Sequence, residues 1–166
     1  MPVAITVTAA TPEHTPAIVD LYEEMDRFYG ATQVAPVAVR AAQVGQALFG
    51  DVPAGHMLLA WDGDQLVGGA SYSFLWPAVG LTRSLFLKEL YVLQTAQRRG
   101  VGKALMAALF EVAAKYECSR VEWMTDDGNG GARQFYAGLG HAVDQTKLFY
   151  RVEGAPLRGG LDGSAD

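Results

Sequence analysis

The sequence predicts a mixed α/β fold in one domain over residues 1–154, followed by a flexible tail over 155–166. Three observations carry this. A strand–helix–strand pattern runs from Leu85 to Thr125, as a parallel, right-handed crossover requires. Two apolar runs in "HMLLAWDGDQLVGGASYSFLW" flank Asp62, Gly63 and Asp64, the signal of an antiparallel hairpin. Half of the 166 residues are hydrophobic, enough for a substantial core at this length.

Element by element, "VAITVTAA" (Val3 to Ala10) mixes β-branched and small residues and reads as the opening strand. In "TPEHTPAIVDLYEEMDRFYG" Ile18, Leu21, Tyr22, Met25 and Phe28 recur at helical spacing, with Gly30 as the stop. A second helix runs through "VAVRAAQVGQALFG", weakened by Gly45. The hairpin follows, and Pro77 and Gly80 break the pattern before the strand "SLFLKELYVL". "GVGKALMAALFEVAAKY" is a helix whose stripe is Leu105, Leu109, Val112 and Tyr116. Then come the strand "SRVEWMT", the loop "DDGNGG", a short helix "ARQFYAGLG" and a final strand "KLFYRVEG". The Gly-, Pro- and Asp-rich "APLRGGLDGSAD" is expected to fray.

Composition narrows the function. A net charge of −5 argues against a general nucleic-acid binder, whose affinity rests on neutralising phosphates. Cys118 stands alone, so there is neither a disulfide framework nor a zinc spacing, which suits a reducing cytoplasm. The start has no basic region followed by an apolar block, which argues against a secretory signal. No apolar run reaches the roughly 20 residues that cross a bilayer. The expectation is a soluble, cytoplasmic protein with neither nucleic acid nor membrane as partner.

One stretch, "QRRGVGKALM" (Gln97 to Met106), has the outline of a phosphate cradle. A P-loop needs a glycine where Gln97 stands and a hydroxyl where Ala104 stands. A dinucleotide fingerprint needs a third glycine at Leu105, where helix and strand must approach closely. What fits is a pyrophosphate loop, [QR]-x-x-G-x-[GA], between a strand and a long helix. The free N–H groups and dipole of the helix start favour an anion there, and the glycines let it come close. Arg98, Arg99 and Lys103 add charge at the rim.

Around this loop, "LKELYV" precedes and "NGGARQFYAGLG" follows after a strand, in the order of the acetyl-CoA-binding core of the GNAT acetyltransferase superfamily. The segment from Leu85 to Gly140 resembles that core. "LYEEMDRFYG", "SYSFLWPAVG" and "KLFYRVEG" look like the diamine (spermidine/spermine-type) acetyltransferase branch, which extends the likeness from Thr11 to Gly154. The resemblance implies a mostly antiparallel central sheet with helices on both faces and a β-α-β core holding acetyl-CoA, with no metal. It implies that the backbone of Leu90, Tyr91 and Val92 pairs with pantetheine like an added strand. The amides of Gln97, Arg98, Arg99, Gly100, Val101, Gly102 and Lys103 would hold the pyrophosphate. Asn129 matches the asparagine that contacts the pantetheine arm, and Tyr136 the tyrosine that faces the sulfur. A homodimer is implied by resemblance alone.

These roles fit the chemistry of amide formation. An alkyl amine with a pKa of about 10.4 must shed a proton before attacking a thioester, and the thiolate leaving with a pKa near 8.5 gains from a phenol donor. Glu89 on the central strand is the candidate base and Tyr136 the candidate acid. Tyr22, Glu23, Asp26, Tyr29 and Trp76, with Glu89, are the expected lining of the acceptor site. Two positions depart from the diamine branch. Lys88 replaces the first member of its acidic pair, and Leu75–Trp76–Pro77 stands where it has an aspartate before an aromatic. Both oppose a polycation, so a smaller amine, an amino-acid-like compound or an amine-bearing antibiotic fits the acceptor site at least as well as a polyamine. The reading is an N-acetyltransferase for a small-molecule amine, acting by direct attack in a ternary complex. Its alternatives are a protein or peptide N-acetyltransferase and a non-catalytic acyl-CoA-binding module.

Overall fold

In a computed structural model, which describes residues 4–155 and residue 157, the expected hairpin and crossover both form. The chain divides into two compact units, Met1–Asp126 and Asp127–Asp166. The first carries β1 (Ile5–Ala9), α1 (Thr15–Phe28), α2 (Val37–Phe49), β2 (His56–Asp62), β3 (Gln65–Leu75), β4 (Arg83–Val92), α3 (Val101–Lys115) and β5 (Cys118–Trp123). The second carries α4 (Gly130–Gly138).

The five strands form one sheet in the order β1-β2-β3-β4-β5, antiparallel except for the parallel pair β4–β5. That pair is joined through α3, the crossover expected from the sequence. Two consecutive glycines in β3 show why helices can pack closely on both faces. Successive strand residues point to opposite sides. A Cβ at Gly68 would fall 2.9 Å from the Tyr91 carbonyl oxygen and 3.1 Å from Val101 on α3. A Cβ at Gly69 would meet Met57 and Leu21, on the α1 side. Gly68→Ala is therefore expected to destabilise by about 1–3 kcal/mol through overpacking, read as a lower urea midpoint. An unchanged midpoint would contradict this packing.

On the α1 face Ile18, Leu21, Met57, Leu59 and Tyr91 form a buried cluster, with Tyr22, Met25 and Trp61 packed against it. α3 buries Val101, Leu105, Met106, Leu109 and Ala113. The expected stripe is thus right at Leu105 and Leu109 and wrong at Tyr116. The helix ends at Lys115, and Tyr116 follows it as the cap, 44% exposed, with its ring 5.0 Å from that of Phe74. Gly45 does not interrupt α2, because Val44 and Leu48 hold the helix by packing against the α1-face cluster.

The final strand expected over 147–154 is not formed. Residues 147–153 take no part in a ladder, and Leu148, Phe149, Tyr150 and Val152 are exposed. Apolar alternation supplies a strand's side chains but not its partner, and a strand exists only as part of a pair. Arg151 still lies 5.0 Å over the Phe149 ring and 3.4 Å from Glu153, the same-side spacing of extended chain. Most of the expected tail, residue 156 and residues 158–166, lies outside the described residues. Among the described residues no helix is long and apolar enough to cross a membrane.

Candidate functional site

β4 is where the first unit opens. It pairs with β3 from Ser84 to Val92 but with β5 only over Arg83–Leu87. Among the described residues its β5-facing side carries no strand partner past Leu87, so backbone groups there are available to an extended ligand. The β3–β4 register also slips at this point. Ser71 faces Glu89 and Tyr72 faces Leu87, leaving Lys88 as the extra residue of a bulge. Lys88 is accordingly exposed. After the bulge Glu89 and Tyr91 share one face. Tyr91 lies in the α1-side cluster, so Glu89 faces α1. Leu90 and Val92 point the other way.

The loop after β4 returns to α3 with two left-handed residues, Arg98 at φ 60° and Gly100 at φ 82°. Alternating backbone of this kind turns consecutive N–H groups toward one concavity. Gly100 caps α3, and the first intrahelical bond runs from Ala104 N to Gly100 O at 3.0 Å. The amides of Val101, Gly102 and Lys103 therefore have no acceptor within their helix, and the positive end of its dipole adds to them. Val101 is buried and locks the loop to the sheet, while Arg98 and Lys103 are exposed. Arg99 is committed elsewhere. Its guanidinium pairs with Asp62 at 2.6 Å, tying the loop to the β2–β3 turn.

α1 supplies the facing wall. Glu23 pairs with Arg27 at 2.8 Å and with Arg40 of α2 at 3.4 Å, and Asp26 pairs with Arg40 at 3.2 Å. Glu24 accepts from the Tyr91 hydroxyl at 3.3 Å and from the Gln94 amide at 3.4 Å. These acids are therefore structural partners as well as charges. Burial, with Glu24 beside it, pushes the Tyr91 phenol up to about 12, so it stays protonated. Tyr22 lies beside the Ser71 side chain. Its phenol is raised by burial, then by the charges of Glu89 and Asp26.

Glu89 is half-buried. Its carboxyl is held above the usual range chiefly by loss of solvation. Lys88 opposes the shift, and the carboxylates of Asp126 and Asp26 add to it. Tyr22, Asp26 and Glu89, all named from the sequence, thus come within electrostatic reach of one another. Tyr29 lies by Phe28, with ring centroids 5.2 Å apart, and close enough to act on Tyr91. Trp76 is not brought to this group. It sits beyond the far end of the β3–β4 ladder, donating to Leu81 O at 3.0 Å, five strand residues or roughly 17 Å from the Ser71–Glu89 pair.

Two residues here escaped the sequence reading. Asp126 follows the C-terminal end of parallel β5, the place where ligands meet α/β sheets, and that rule could have found it. Arg40, 8% exposed, is the one charged residue in the buried class among the described residues, and its local sequence gives no sign of this.

In the second unit Asn129 caps α4, its side-chain oxygen accepting from Ala132 N at 3.1 Å. This leaves the two N–H donors of its amide for other use. Arg133 pairs with Asp127 at 2.8 Å, fixing the loop that presents Asn129. Tyr136 is half-buried, its ring 5.1 Å from that of Phe135.

Comparison with known proteins meets this geometry. Residues 17–141 match the sequence model of the acetyltransferase (GNAT) family. A thialysine N-epsilon-acetyltransferase of Mus musculus is 30% identical over 122 residues, 66% of this chain and 71% of the mouse protein. An L-ornithine N5-acetyltransferase of Arabidopsis thaliana is 28% identical over 83 residues, 50% of this chain. The match spans only 36% of the plant protein's length. The solved structure of an integron cassette protein from the mobile metagenome of V. cholerae superposes with a TM-score of 0.86 at 26% identity. It covers 93% of this chain and 95% of that one. The chain belongs to the acetyltransferase (GNAT) family.

Proposed function

We propose that this protein moves acetyl from acetyl-CoA to a primary amine of a small molecule, by direct attack in a ternary complex. The observation that carries the reading is the stretch from β4 to the start of α3. An unpartnered strand edge leads within a few residues into a cluster of helix-start amides, with Glu89 on the same strand facing α1. An extended arm ending in a pyrophosphate suits this order of sites.

In this reading the pantetheine arm pairs with the open edge at Leu90, Tyr91 and Val92, and the amides from Gln97 to Lys103 hold the pyrophosphate. Arg98 and Lys103 supply charge, while Arg99 acts through its anchor to Asp62. The carboxylate of Glu89, made more basic by burial, removes a proton from the acceptor ammonium. The amine nitrogen attacks the thioester carbonyl, a strand amide stabilises the oxyanion, and the C–S bond breaks as the amide forms. Tyr136 and Asn129 enter through the family motif, as proton donor to the thiolate and as a contact of the pantetheine arm. Asp26, Tyr22 and Glu23 belong to the acceptor side. The two relatives are named for side-chain amines of amino acids, which supports a small amino-acid-like amine as acceptor.

The test is thiol release from acetyl-CoA across a panel of amines: amino acids with terminal amines, diamines, aminoglycosides and a peptide. Release that depends on a small amine, with the acetylated product seen by mass spectrometry, is expected. Release with the peptide alone would turn the reading to peptide acetylation. None with any amine, while CoA still binds, would leave a binding module.

A further inference from the structure

Between α1 and α2 lies a cavity of about 220 Å³ lined by Val19, Tyr22, Asp26, Arg40, Gln43 and Val44. Its walls combine two valines with a buried guanidinium, a carboxylate, a phenol and a carboxamide. Arg40 makes only single contacts, one N–H to Glu23 and one to Asp26, at 3.4 and 3.2 Å rather than as a bidentate fork. A guanidinium carries five N–H donors, so three remain for another acceptor. Glu23 is shared with Arg27 at 2.8 Å, its shorter contact. What the cavity presents is therefore an opposite pair, Arg40 and Asp26, beside the Gln43 carboxamide. A zwitterion matches that pair better than a cation does.

Two of the cavity's walls, Tyr22 and Asp26, lie within electrostatic reach of Glu89. Tyr22 also lies beside Ser71, the cross-strand partner of Glu89. We infer that this cavity is the head-group subsite for an α-amino-acid acceptor. Arg40 and Gln43 hold its carboxylate, Asp26 holds its α-ammonium, and its side chain runs past Tyr22 to bring a terminal amine to Glu89. The inference rests on the acetyl transfer proposed above and adds which amine is chosen. A diamine of the same length would leave the Arg40 donors unanswered, and a site built to bind a group discriminates against an analogue lacking it.

The experiment compares kcat/KM for L-ornithine and 1,4-diaminobutane, which is ornithine without its carboxylate, in the native protein, Arg40→Gln and Arg40→Lys. The native ratio is expected to favour ornithine by about 10-fold or more, to fall close to one in Arg40→Gln, and to be partly kept in Arg40→Lys. Both substrates are read on the same protein, so a loss of folded material cancels in the ratio. A native ratio near or below one, or a ratio unchanged in Arg40→Gln, overturns the subsite while acetyl transfer stands. If neither amine is acetylated and no other amine is, both the subsite and the proposed function fall.

Discussion

Glu89→Gln is expected to lower kcat/KM by about 10²- to 10⁴-fold, the usual contribution of a positioned general base. The pH profile separates this from a merely structural loss. Burial and the neighbouring acids hold the Glu89 carboxyl above the ordinary range, so the acid limb of kcat/KM should lie above that of a solvated glutamate. The variant should lose that limb. Stability should move in the opposite direction. A carboxyl whose pKa is raised on folding binds more protons in the native than in the unfolded state between its two pKa values. Stability therefore falls as pH rises through that window and stays lowered above it. Glu89→Gln removes the penalty, so the variant should melt higher than the native protein at neutral pH and lose the advantage in acid. A slower but more stable protein is the signature of a charge kept for chemistry. A variant with native kcat/KM, or with the acid limb intact, would remove Glu89 from the role of base.

Gly100→Val is expected to weaken acetyl-CoA binding by about 10-fold or more, measured by calorimetric titration. Gly100 holds φ at 82°, which costs a non-glycine residue roughly 1–3 kcal/mol and suits a β-branched one least of all. Its chain neighbours apart, no atom of the described residues lies within 4 Å of where its Cβ would stand, so the fold has room for the side chain. The damage should fall on the loop conformation that aims the amides, and on the space the pyrophosphate would take. Circular dichroism close to native with a lost titration is the expected pair of results. Unchanged affinity would mean that these amides do not hold the cofactor.

How far the sequence reaches can be judged residue by residue. The β2–β3 hairpin was legible because Asp62, Gly63 and Asp64 announce a turn locally, and Gly63 does take the left-handed φ of 60°. The loop into α3 was legible because its glycines and the following helix are adjacent in the chain. The bulge at Lys88 was not. It arises from a register slip against β3, and one strand's sequence does not record its partner's phase. Read as a plain departure from an acidic pair, Lys88 looked like a repulsive charge in the acceptor site. In the structure it is the exposed bulge residue, and Glu89 is turned inward. Arg40 was hidden for a similar reason. On α2 it looks like a surface charge among small apolar residues, yet Val37 and Val39 are exposed while Arg40 is buried against α1. Only tertiary placement of the Glu23 and Asp26 carboxylates makes that burial possible. The strand expected at 147–154 failed for want of a partner, which apolar alternation cannot reveal.

Direct transfer at the open edge of β4 is tested most directly by initial rates measured over a grid of acetyl-CoA and amine concentrations. Double-reciprocal lines that intersect, with no acetylated protein by mass spectrometry when acetyl-CoA is added alone, are the expected result. Parallel lines together with an acetyl-enzyme would contradict it, because an unassigned nucleophile would then carry the acetyl group.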